Sequence, residues 1–333
     1  MSYDRSWDCP HQPNSTPHWQ ESDCYWFFDI DTGVGGFHRI GQTPNTLQGQ
    51  VDVFVFARDG ERFISDPALR VRAIVATDRW TTGHRVDTHV AESLAEHRLR
   101  FAWREPGCSA DLEFFESFHP PRNWSRTDHA DLIMRDINPD GHLECSGRLR
   151  GSVRIGERSY AINALAHRDR SWGVRGSTED ISLHRYRMFS GTAGPALSFA
   201  CFGIDSLQNG YRCAGFVVRD DVAKDVVDLR CLTSFDFDGI SPIGATAIIT
   251  MADGEQLRLV VRPVQGRLGV QPGMGVGVSD TICVFDYQGH AGFIDLEMCT
   301  NPGRGAYQPT PRDVSLLGTV PGLSTCSSYG GLL

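Results

Sequence analysis

The sequence lacks both an excess of positive charge and any long apolar run. Its 333 residues hold 32 Lys and Arg against 41 Asp and Glu, which gives a formal net charge of −9. Because nucleic acids and anionic membrane surfaces bind basic patches, this balance argues against both as partners. No run approaches about 18 apolar residues, and no apolar stretch follows a basic start. We therefore expect a protein that is neither exported nor inserted into a membrane and that resides in the cytoplasm.

Cysteine and histidine are present but lack any pattern. The ten cysteines are scattered, with no C-x-x-C pair and no framework spacing. In a chain of this length such thiols are expected to be free, which agrees with a reducing cytoplasm. The twelve histidines are equally dispersed, and no H-E-x-x-H or H-x-H pair offers a metal a local chelate. We expect neither disulfides nor a bound metal.

Phosphate-binding and hydrolase motifs are also missing. The stretch 31–45 (DTGVGGFHRIGQTPN) contains G-x-G, but no helical pattern follows and the third glycine of the dinucleotide fingerprint is absent. We interpret it as a glycine-rich turn. The stretch 271–280 (QPGMGVGVSD) lacks the ending of a phosphate loop and is expected to be a flexible loop. No G-x-S-x-G elbow is present to indicate a hydrolase nucleophile. Because both chelate spacing and phosphate loops are missing, we expect an activity without a cofactor.

Alternation with a period of two is what the sequence has in abundance. Residues 98–104 (RLRFAWR) place Leu99, Phe101 and Trp103 on one face, as a half-buried strand does. Similar segments follow one another along the chain, separated by Asp-Gly, Asn-Gly and Pro-Gly turn signals. The helix candidate at 88–99 runs directly into a strand pattern and is disfavoured. The sequence therefore predicts an all-β fold.

The number of strands predicts two β units. More than a dozen short strands exceed what one simple sandwich holds, so we expect two consecutive β-sandwich or lipocalin-like barrel domains. The boundary is placed at the small-residue stretch 189–196 (FSGTAGPA), which gives an N-terminal domain over 1–188 and a C-terminal barrel over 189–333. The turn at 138–141 (NPDG) is the alternative boundary.

One segment concentrates charge beside a large aromatic residue. Residues 167–176 (HRDRSWGVRG) hold three arginines, one aspartate, one histidine and one tryptophan. Upstream, His142 and Glu144 stand two residues apart, so on a strand they face the same side. A hairpin (RIGER) then returns the chain toward Asp169. We expect these three residues and Arg170 to share one wall, where mutual neutralisation permits partial burial.

Three blocks of this sequence resemble a known family. The blocks at 25–45, 142–151 and 168–175 (RDRSWGVR) are similar to those of the two-domain lipocalin-like proteins grouped with carotenoid 1,2-hydratase, the AttH proteins and the fungal Diels-Alderases. The resemblance is strongest to a bacterial branch built from paired domains of unknown function. It covers roughly the first two thirds of the chain, and its one specific motif is D-x-x-W-G. It implies an all-β fold with a ligand pocket between the two domains.

The resemblance carries over to only part of the motif. Carotenoid hydratases have Asp-His-x-Trp-Gly, so Asp169, Trp172 and Gly173 match while Arg170 stands in the histidine position. A neutral imidazole passes protons near neutral pH, whereas a guanidinium with a pKa above about 12 does not. Hydration by the route of that histidine is therefore not implied. Arg170 could instead bind an oxyanion, while Asp169 or the upstream His-Glu pair exchanges protons.

Each of these residues also has a structural interpretation. Trp172 and Gly173 could form a corner that covers the junction of two β units. Asp169 with neighbouring arginines could be an ion-pair lattice that ties strands together. Both interpretations stay open for the sequence alone. The predicted site contains four catalytic residues and four substrate-binding residues, namely Asp169, Arg170, His142 and Glu144, and Trp172, Arg175, His184 and Asp205.

The sequence favours an enzyme over two alternatives. A cavity lined by strands would bury the apolar body of a terpenoid, steroid or aromatic metabolite, while the charged group supplies protons. This predicts a cofactor-independent lyase, hydratase or isomerase for a hydrophobic small molecule. The alternatives are a non-catalytic carrier of lipids or terpenoids, and a pericyclic cyclase that acts by orienting its substrate. The chain could form a homodimer.

Overall fold

The computed structural model describes the ranges 3–123, 140–174, 183–206, 210–235, 242–271 and 276–300. Within them antiparallel strands are joined by short turns, and contacts divide the chain into two compact units, Met1–Gly176 and Ser177–Leu333. The prediction of an all-β fold with two consecutive units is confirmed. Over the same ranges no helix is long and apolar enough to cross a membrane. The eight cysteines whose side chains are described are free thiols.

The first unit is one curved antiparallel sheet. Its strand order is β4-β3-β2-β1-β13-β12-β10-β9-β8-β7-β6, with β11 paired to β12 and β5 paired to β3. The strands are β1 (Trp19–Asp29), β2 (Val34–Thr43), β3 (Gln48–Phe56), β4 (Arg62–Ile64), β5 (Val71–Ala73), β6 (Arg79–Trp80), β7 (Gly83–Val86), β8 (His89–Ala95), β9 (Arg98–Glu105), β10 (Cys108–Ser117), β11 (Arg122–Asn123), β12 (Gly141–Ile155) and β13 (Arg158–Val174). Because β13 lies between β1 and β12, it brings the three sequence blocks together.

The sheet curls until strands that are not paired in it approach each other. The Gln42 side chain of β2 donates a 2.7 Å hydrogen bond to the Arg85 carbonyl of β7. His38 Nε2 of β2 lies 3.0 Å from His89 Nδ1 of β8. Apolar side chains such as Phe101 fill the concave face. The first unit is therefore a half-barrel that side-chain bridges complete, with its core on the inside.

Short 3₁₀ turns precede β1 and connect some of the later strands of the first unit. They span Arg5–Asp8, Pro44–Thr46, Pro67–Leu69 and Ala76–Asp78. Asp4 caps the first of them, since its carboxylate accepts a hydrogen bond from the Ser6 amide at 2.8 Å. Trp7 in this turn packs in a buried apolar cluster with Trp19, Leu143 and Trp172. The N-terminal segment is thereby attached to the concave side of β13.

The second unit is a closed eight-stranded barrel. Its strands are β14 (Leu183–Thr192), β15 (Ser198–Ser206), β16 (Gly210–Arg219), β17 (Val222–Phe235), β18 (Pro242–Met251), β19 (Gln256–Gln271), β20 (Val276–Tyr287) and β21 (His290–Thr300). Each strand pairs with the next, and β21 closes the barrel on β14, so this barrel has no open edge. Apolar residues such as Phe199, Leu259 and Ile294 fill its interior. This agrees with the predicted C-terminal lipocalin-like barrel.

The predicted boundary after residue 188 falls inside β14. Met188 pairs with Phe202 of β15 and with Glu297 of β21, so ladder hydrogen bonds continue on both sides of that position. The small residues that suggested a linker form the end of β14 and the turn to β15, where Gly194 has φ +70°. The division between the compact units lies earlier, at Gly176.

Alternation predicted the strand at 98–104 correctly, but the glycine-rich stretch 31–45 is mostly a strand. Leu99 is buried as expected in β9. In the glycine-rich stretch only the start turns, and β2 begins at Val34. A Cβ added at Gly36 would lie 2.2 Å from the Phe54 carbonyl oxygen. The expected glycine-rich turn is therefore corrected, because glycine here permits the close approach of neighbouring strands.

We expect Gly36→Ala to lower the free energy of unfolding of the first unit by about 1–3 kcal/mol, because the added methyl group overpacks against a backbone oxygen. Gly244→Ala is the matched control, since Gly244 lies in β18 with nothing within 4 Å of its added Cβ. All seven tryptophans precede residue 177, so urea unfolding followed by tryptophan fluorescence reports on the first unit. For the control, far-ultraviolet circular dichroism is the readout. Unchanged stability of Gly36→Ala would contradict the close approach.

Candidate functional site

The strand that carries the RDRSWG motif divides its side chains between the two faces of the sheet. Successive residues of a strand point to opposite sides. His167 and Asp169 of β13 therefore point to the convex face, whereas Arg168, Arg170 and Trp172 point to the concave face. Asp169 and Arg170 do not share one wall, which corrects the arrangement expected from the sequence.

Three of the four predicted catalytic residues do meet on the convex face. The pairing of β12 with β13 places Glu144 directly opposite Asp169. His142 precedes Glu144 by two residues and is therefore a diagonal neighbour of Asp169. His142 Nε2 lies 3.2 Å from Glu144 Oε1 and 3.1 Å from Asp169 Oδ2. Both distances correspond to charge-assisted hydrogen bonds from the imidazole to the carboxylates.

The hydrogen-bonded contacts continue from Glu144 into the sheet. Its second carboxylate oxygen, Oε2, contacts His167 Nε2, and His167 Nδ1 lies 2.9 Å from Ser146 Oγ. His119 Nε2 accepts a 3.1 Å hydrogen bond from the Ser146 amide, while its Nδ1 lies 2.9 Å from the Pro120 carbonyl oxygen. These two contacts fix His119 as the tautomer with its proton on Nδ1.

We call the connected side chains the convex-face chain: Asp169, His142, Glu144, His167 and Ser146. Glu144, His167 and Ser146 are completely buried. The side chain of Asp169 is 16% exposed, so it is the most accessible member. Burying two carboxylates is expensive unless protons or positive charges compensate them. The His142 imidazole, which lies within hydrogen-bond distance of both carboxylates, supplies that compensation.

Electrostatics distinguishes the histidines on this face. Burial alone would lower the pKa of His142, but the carboxylates of Asp169 and Glu144 outweigh it and raise this pKa to about 10. His142 is therefore an imidazolium at neutral pH. Burial lowers the pKa of His119 to about 4, and the neighbouring His167 contributes to the lowering. His119 is therefore neutral, which agrees with its hydrogen bonds.

The same groups offer a set of metal ligands. One atom each from His142, Glu144 and Asp169 lies within 4.8 Å of the other two. An imidazole with two carboxylates suits Zn²⁺ or Mn²⁺. The proton on His142 contacts the same two carboxylates that a metal would bind. Proton and metal are therefore alternative occupants of one position in the convex-face chain.

Aromatic side chains flank the convex-face chain. Trp26 of β1 is opposite His167 in the register, and their ring centroids are 6.5 Å apart. Phe37 packs on Trp26 with a centroid distance of 5.2 Å. Phe56 of β3 packs on Phe28 of β1 with a centroid distance of 6.2 Å and on Phe54 at 5.5 Å. We call this set the aromatic wall; it is buried and consists of Trp26, Phe28, Phe37, Phe54 and Phe56.

The sequence assigned the aromatic surface to Trp172, which lies elsewhere. Trp172 is on the concave face, where its ring stacks on His11 with centroids 4.0 Å apart. The aromatic wall was missed because both faces of its strands are aromatic. In the run YWFF, Tyr25 and Phe27 face the core, while Trp26 and Phe28 face the convex side. The pattern VFVF of β3 carried the same signal in period two.

Arg170 belongs to a buried lattice of ion pairs on the concave face. Its guanidinium pairs with Glu21 and Asp23 of β1. It also donates hydrogen bonds to the carbonyl oxygens of Trp7 at 2.7 Å and Cys9 at 2.8 Å. The N-terminal segment thus covers a side chain whose donors are engaged by protein groups. Arg170 binds strands and segment together rather than serving Asp169.

Neighbouring charges extend this concave lattice. Arg168 pairs with Asp8 of the N-terminal segment. Arg79 and His11 contact Glu21 at 2.8 and 2.9 Å. Burial would raise the pKa of Glu21, but Arg170, His11 and Arg79 together hold it well below its usual range. The structure thus places Arg168 and Arg170 in an ion-pair lattice that ties strands together. Their acidic partners are Asp8, Glu21 and Asp23 rather than Asp169.

The remaining predicted residues are placed only in part. Arg175 lies outside the described residues. His184 lies on β14 and Asp205 on β15, and Asp205 is paired in register with Arg185. The side chains of these residues are outside the described part of the structure. Their predicted role in substrate binding stays a prediction.

The fold and the site define the class of this protein. A half-barrel followed by a closed eight-stranded barrel is the architecture of two-unit lipocalin-like proteins. The chain belongs to the family described as "Domain of unknown function (DUF7064)", whose model matches residues 4–302. That match extends beyond the first two thirds of the chain, in which the resemblance was noticed. No curated protein matches the chain.

Solved structures share the architecture at low sequence identity. A candidate AttH protein from Nitrosomonas europaea aligns with a TM-score of 0.62 and 10% identity, over 88% of this chain and 98% of its own. CghA with Sch210972 gives 0.61 and 12%, over 90% and 95%. Kievitone hydratase from Nectria haematococca gives 0.57 and 11%, over 88% and 91%. These likenesses confirm the fold group that the sequence blocks indicated.

Loss of the concave lattice should destabilise the first unit. We expect Arg170→Met to lower the free energy of unfolding by about 3–5 kcal/mol, because it removes the guanidinium that pairs with two buried carboxylates, those of Glu21 and Asp23. Arg100→Met removes a surface pair with Asp111, in which both side chains are over 40% exposed, and should cost at most about 1 kcal/mol. Urea unfolding followed by tryptophan fluorescence measures both. Equal losses for the two variants would contradict the lattice.

The contribution of His142 to stability should depend on pH. Its pKa is raised from 6.5 to about 10 by folding, so the folded state binds this proton more tightly than the unfolded chain. The stabilisation is fully present below pH 6.5 and is lost as pH rises through about 10. Over this window the free energy of unfolding should fall more steeply for the wild type than for His142→Gln. Parallel curves in urea unfolding would refute this assignment.

Proposed function

We propose that this chain is a cofactor-independent lyase, hydratase or isomerase that acts on a hydrophobic small molecule by acid–base chemistry on the convex face of the first unit. The observation that carries the proposal is the convex-face chain beside the aromatic wall. Two carboxylates and two imidazoles are joined by hydrogen bonds, and aromatic rings adjoin them. This arrangement combines a binding surface for apolar molecules with groups that exchange protons.

The order of groups assigns a role to each. Asp169 is the most accessible member and is therefore the one that would exchange a proton with the substrate. His142 Nε2 lies 3.1 Å from Asp169 Oδ2, within the range for direct proton transfer. His142 can thus supply or take up the proton that Asp169 exchanges. Glu144 and His167 hold the orientation of His142 from behind, as the third member of a catalytic triad does.

The aromatic wall would bind the body of the substrate. Trp26 and Phe37 adjoin the His167 end of the convex-face chain. Apolar substrate surface that moves from water onto such a wall contributes about 25 cal/mol per Å² to the free energy of binding. A terpenoid, steroid or aromatic metabolite offers the rigid apolar body that suits flat rings. The proposal therefore places the reacting carbon or hydroxyl near Asp169 and the remainder on the wall.

Two of the structurally similar proteins support small-molecule chemistry by name. One is named kievitone hydratase, and CghA was solved together with Sch210972. These statements concern those proteins, and a shared fold does not transfer a substrate. Burial adds a separate argument for an enzyme over a carrier. A carrier would need one polar anchor, whereas the fully buried Glu144 carboxylate, the partly buried Asp169 carboxylate and the buried His142 imidazolium carry a desolvation cost that binding does not require.

Asp169→Asn tests the proposed role of the carboxylate. The substitution keeps the shape of the side chain but removes its titratable group, so turnover should fall by about 10²-fold or more while the melting temperature changes little. Asp111→Asn is the matched control, since Asp111 lies on β10 of the same sheet with an exposed side chain. Turnover is measured by incubating each protein with terpenoid, steroid and phenolic compounds and analysing products by mass spectrometry.

Three results would count against the proposal in different ways. If Asp169→Asn lowers the melting temperature sharply and the folded fraction still turns over normally, the convex-face chain is structural. If the wild type binds such compounds but returns them unchanged after long incubation, the chain is a carrier. Loss of turnover in both Asp169→Asn and Asp111→Asn would point to a general effect of charge rather than to the convex-face chain.

A further inference from the structure

A second set of titratable side chains crosses the concave interior of the first unit. His38 Nε2 of β2 lies 3.0 Å from His89 Nδ1 of β8. His89 Nε2 in turn lies 2.8 Å from Glu105 Oε1 of β9. Arg72 pairs with the same Glu105 carboxylate and with the exposed Asp87. Both histidines are completely buried. We call His38, His89 and Glu105 the interior relay.

The contacts of the interior relay determine where its protons reside. Burial lowers the pKa of both His38 and His89, although Glu105 acts to raise that of His89. Both rings are therefore neutral near pH 7, and each has one N–H and one bare nitrogen. The Glu105 carboxylate, held by Arg72, accepts a hydrogen bond from His89 Nε2, so His89 Nδ1 is bare. His38 must then donate from Nε2, which leaves its Nδ1 as a bare acceptor.

Buried polar atoms at the end of the relay have no partner within the protein. Among the described residues, neither His38 Nδ1 nor the Tyr25 hydroxyl has a hydrogen-bond partner. Tyr25 of β1 is directly opposite His38 in the register, and the ring centroids are 5.4 Å apart. The His38 ring is also stacked on Trp103, with centroids 4.8 Å apart and an interplanar angle of 14°. Leaving such an atom unsatisfied costs about 1–3 kcal/mol, and native proteins usually satisfy it with a ligand or water.

We propose that the concave interior of the first unit contains a second binding site, in which His38 Nδ1 accepts a hydrogen bond from the hydroxyl group of a small neutral molecule. The same hydroxyl oxygen can accept from the Tyr25 hydroxyl, so a single group would satisfy both residues. This site is independent of the proposed function, because His38 lies on the opposite face of the sheet from Asp169.

The surroundings select the chemical class of the ligand. Burial raises the pKa of Tyr25 well above its usual value, so it remains an uncharged phenol. With neutral imidazoles and a neutral phenol, the end of the relay offers no charge to an ion. Trp103 packs on His38 with a centroid distance of 4.8 Å, and Phe101 packs on Tyr25 at 4.3 Å. The surroundings of His38 Nδ1 and the Tyr25 hydroxyl are therefore aromatic and apolar. The ligand should therefore be uncharged, carry a hydroxyl group and have an apolar body. A planar ring that bears a hydroxyl group meets these three conditions, and phenol is the simplest such probe.

Nitrogen-15 NMR of the histidine side chains tests the proposal on the full chain. At neutral pH the His38 ring, assigned by the loss of its signals in His38→Gln, should carry its proton on Nε2. Titration with phenol should shift the signal of the bare Nδ1. Anisole has the same ring but no hydroxyl donor, so it should bind at least about tenfold more weakly. Tyr25→Phe should weaken phenol binding, since it removes the second contact.

The outcomes separate this site from the convex face. Asp169→Asn alters the other face of the sheet and should leave the affinity for phenol that is read from the His38 signals unchanged. Three results would each overturn the proposal: a proton on His38 Nδ1, equal affinities for phenol and anisole, or His38 signals that do not respond to phenol. In the third case buried water alone would satisfy the nitrogen. Should His38→Gln fail to fold, Tyr25→Phe and the comparison of phenol with anisole still decide the question.

Discussion

The register between β12 and β13 is the constraint on which the rest of the first unit depends. It places Glu144 opposite Asp169 and, two residues later in β12 and two residues earlier in β13, Ser146 opposite His167. Because the side-chain period of a strand is two, a slip of one residue would turn every side chain of β13 to the other face. Arg168 would then leave its acidic partners, and the carboxylate of Asp169 would enter the core. Core packing and charge pairing therefore enforce the same register.

The two faces of this strand bury charge in different ways. On the concave face Arg170 is matched by Glu21 and Asp23, and guanidinium groups keep their charge at any pH at which the protein is folded. That lattice is therefore fixed in its protonation. On the convex face the positive partner is His142, whose imidazolium loses its proton as pH rises through about 10. The titratable cation consequently lies on the convex face, while the concave lattice fixes β13 in place.

Much of this arrangement could be predicted from the sequence, and the part that could not has identifiable causes. The spacing of His142 and Glu144 together with the hairpin after Ile155 was enough to bring both to Asp169. Arg170 was misplaced although adjacent residues of a strand cannot share a face. The partners of Arg170 come from the N-terminal segment and β1, more than 140 residues away, and no local pattern encodes such contacts. Trp26 and Phe37 were missed because strands buried on both faces lose the contrast between polar and apolar positions.

The alternation of side chains along the D-x-x-W-G motif limits what the resemblance to carotenoid hydratases can imply. Asp169 and Trp172 are three residues apart, so they face opposite sides of the sheet, and the position occupied by a histidine in those enzymes faces the same side as Trp172. Here that position is Arg170, whose donors are engaged by carboxylates and by the carbonyl groups of the N-terminal segment. A histidine at this place would be shorter and could not reach all of these acceptors. Arginine therefore holds the fold at this position, and acid–base chemistry by the proposed pair of Asp169 and His142 would take place on the other side of the same strand.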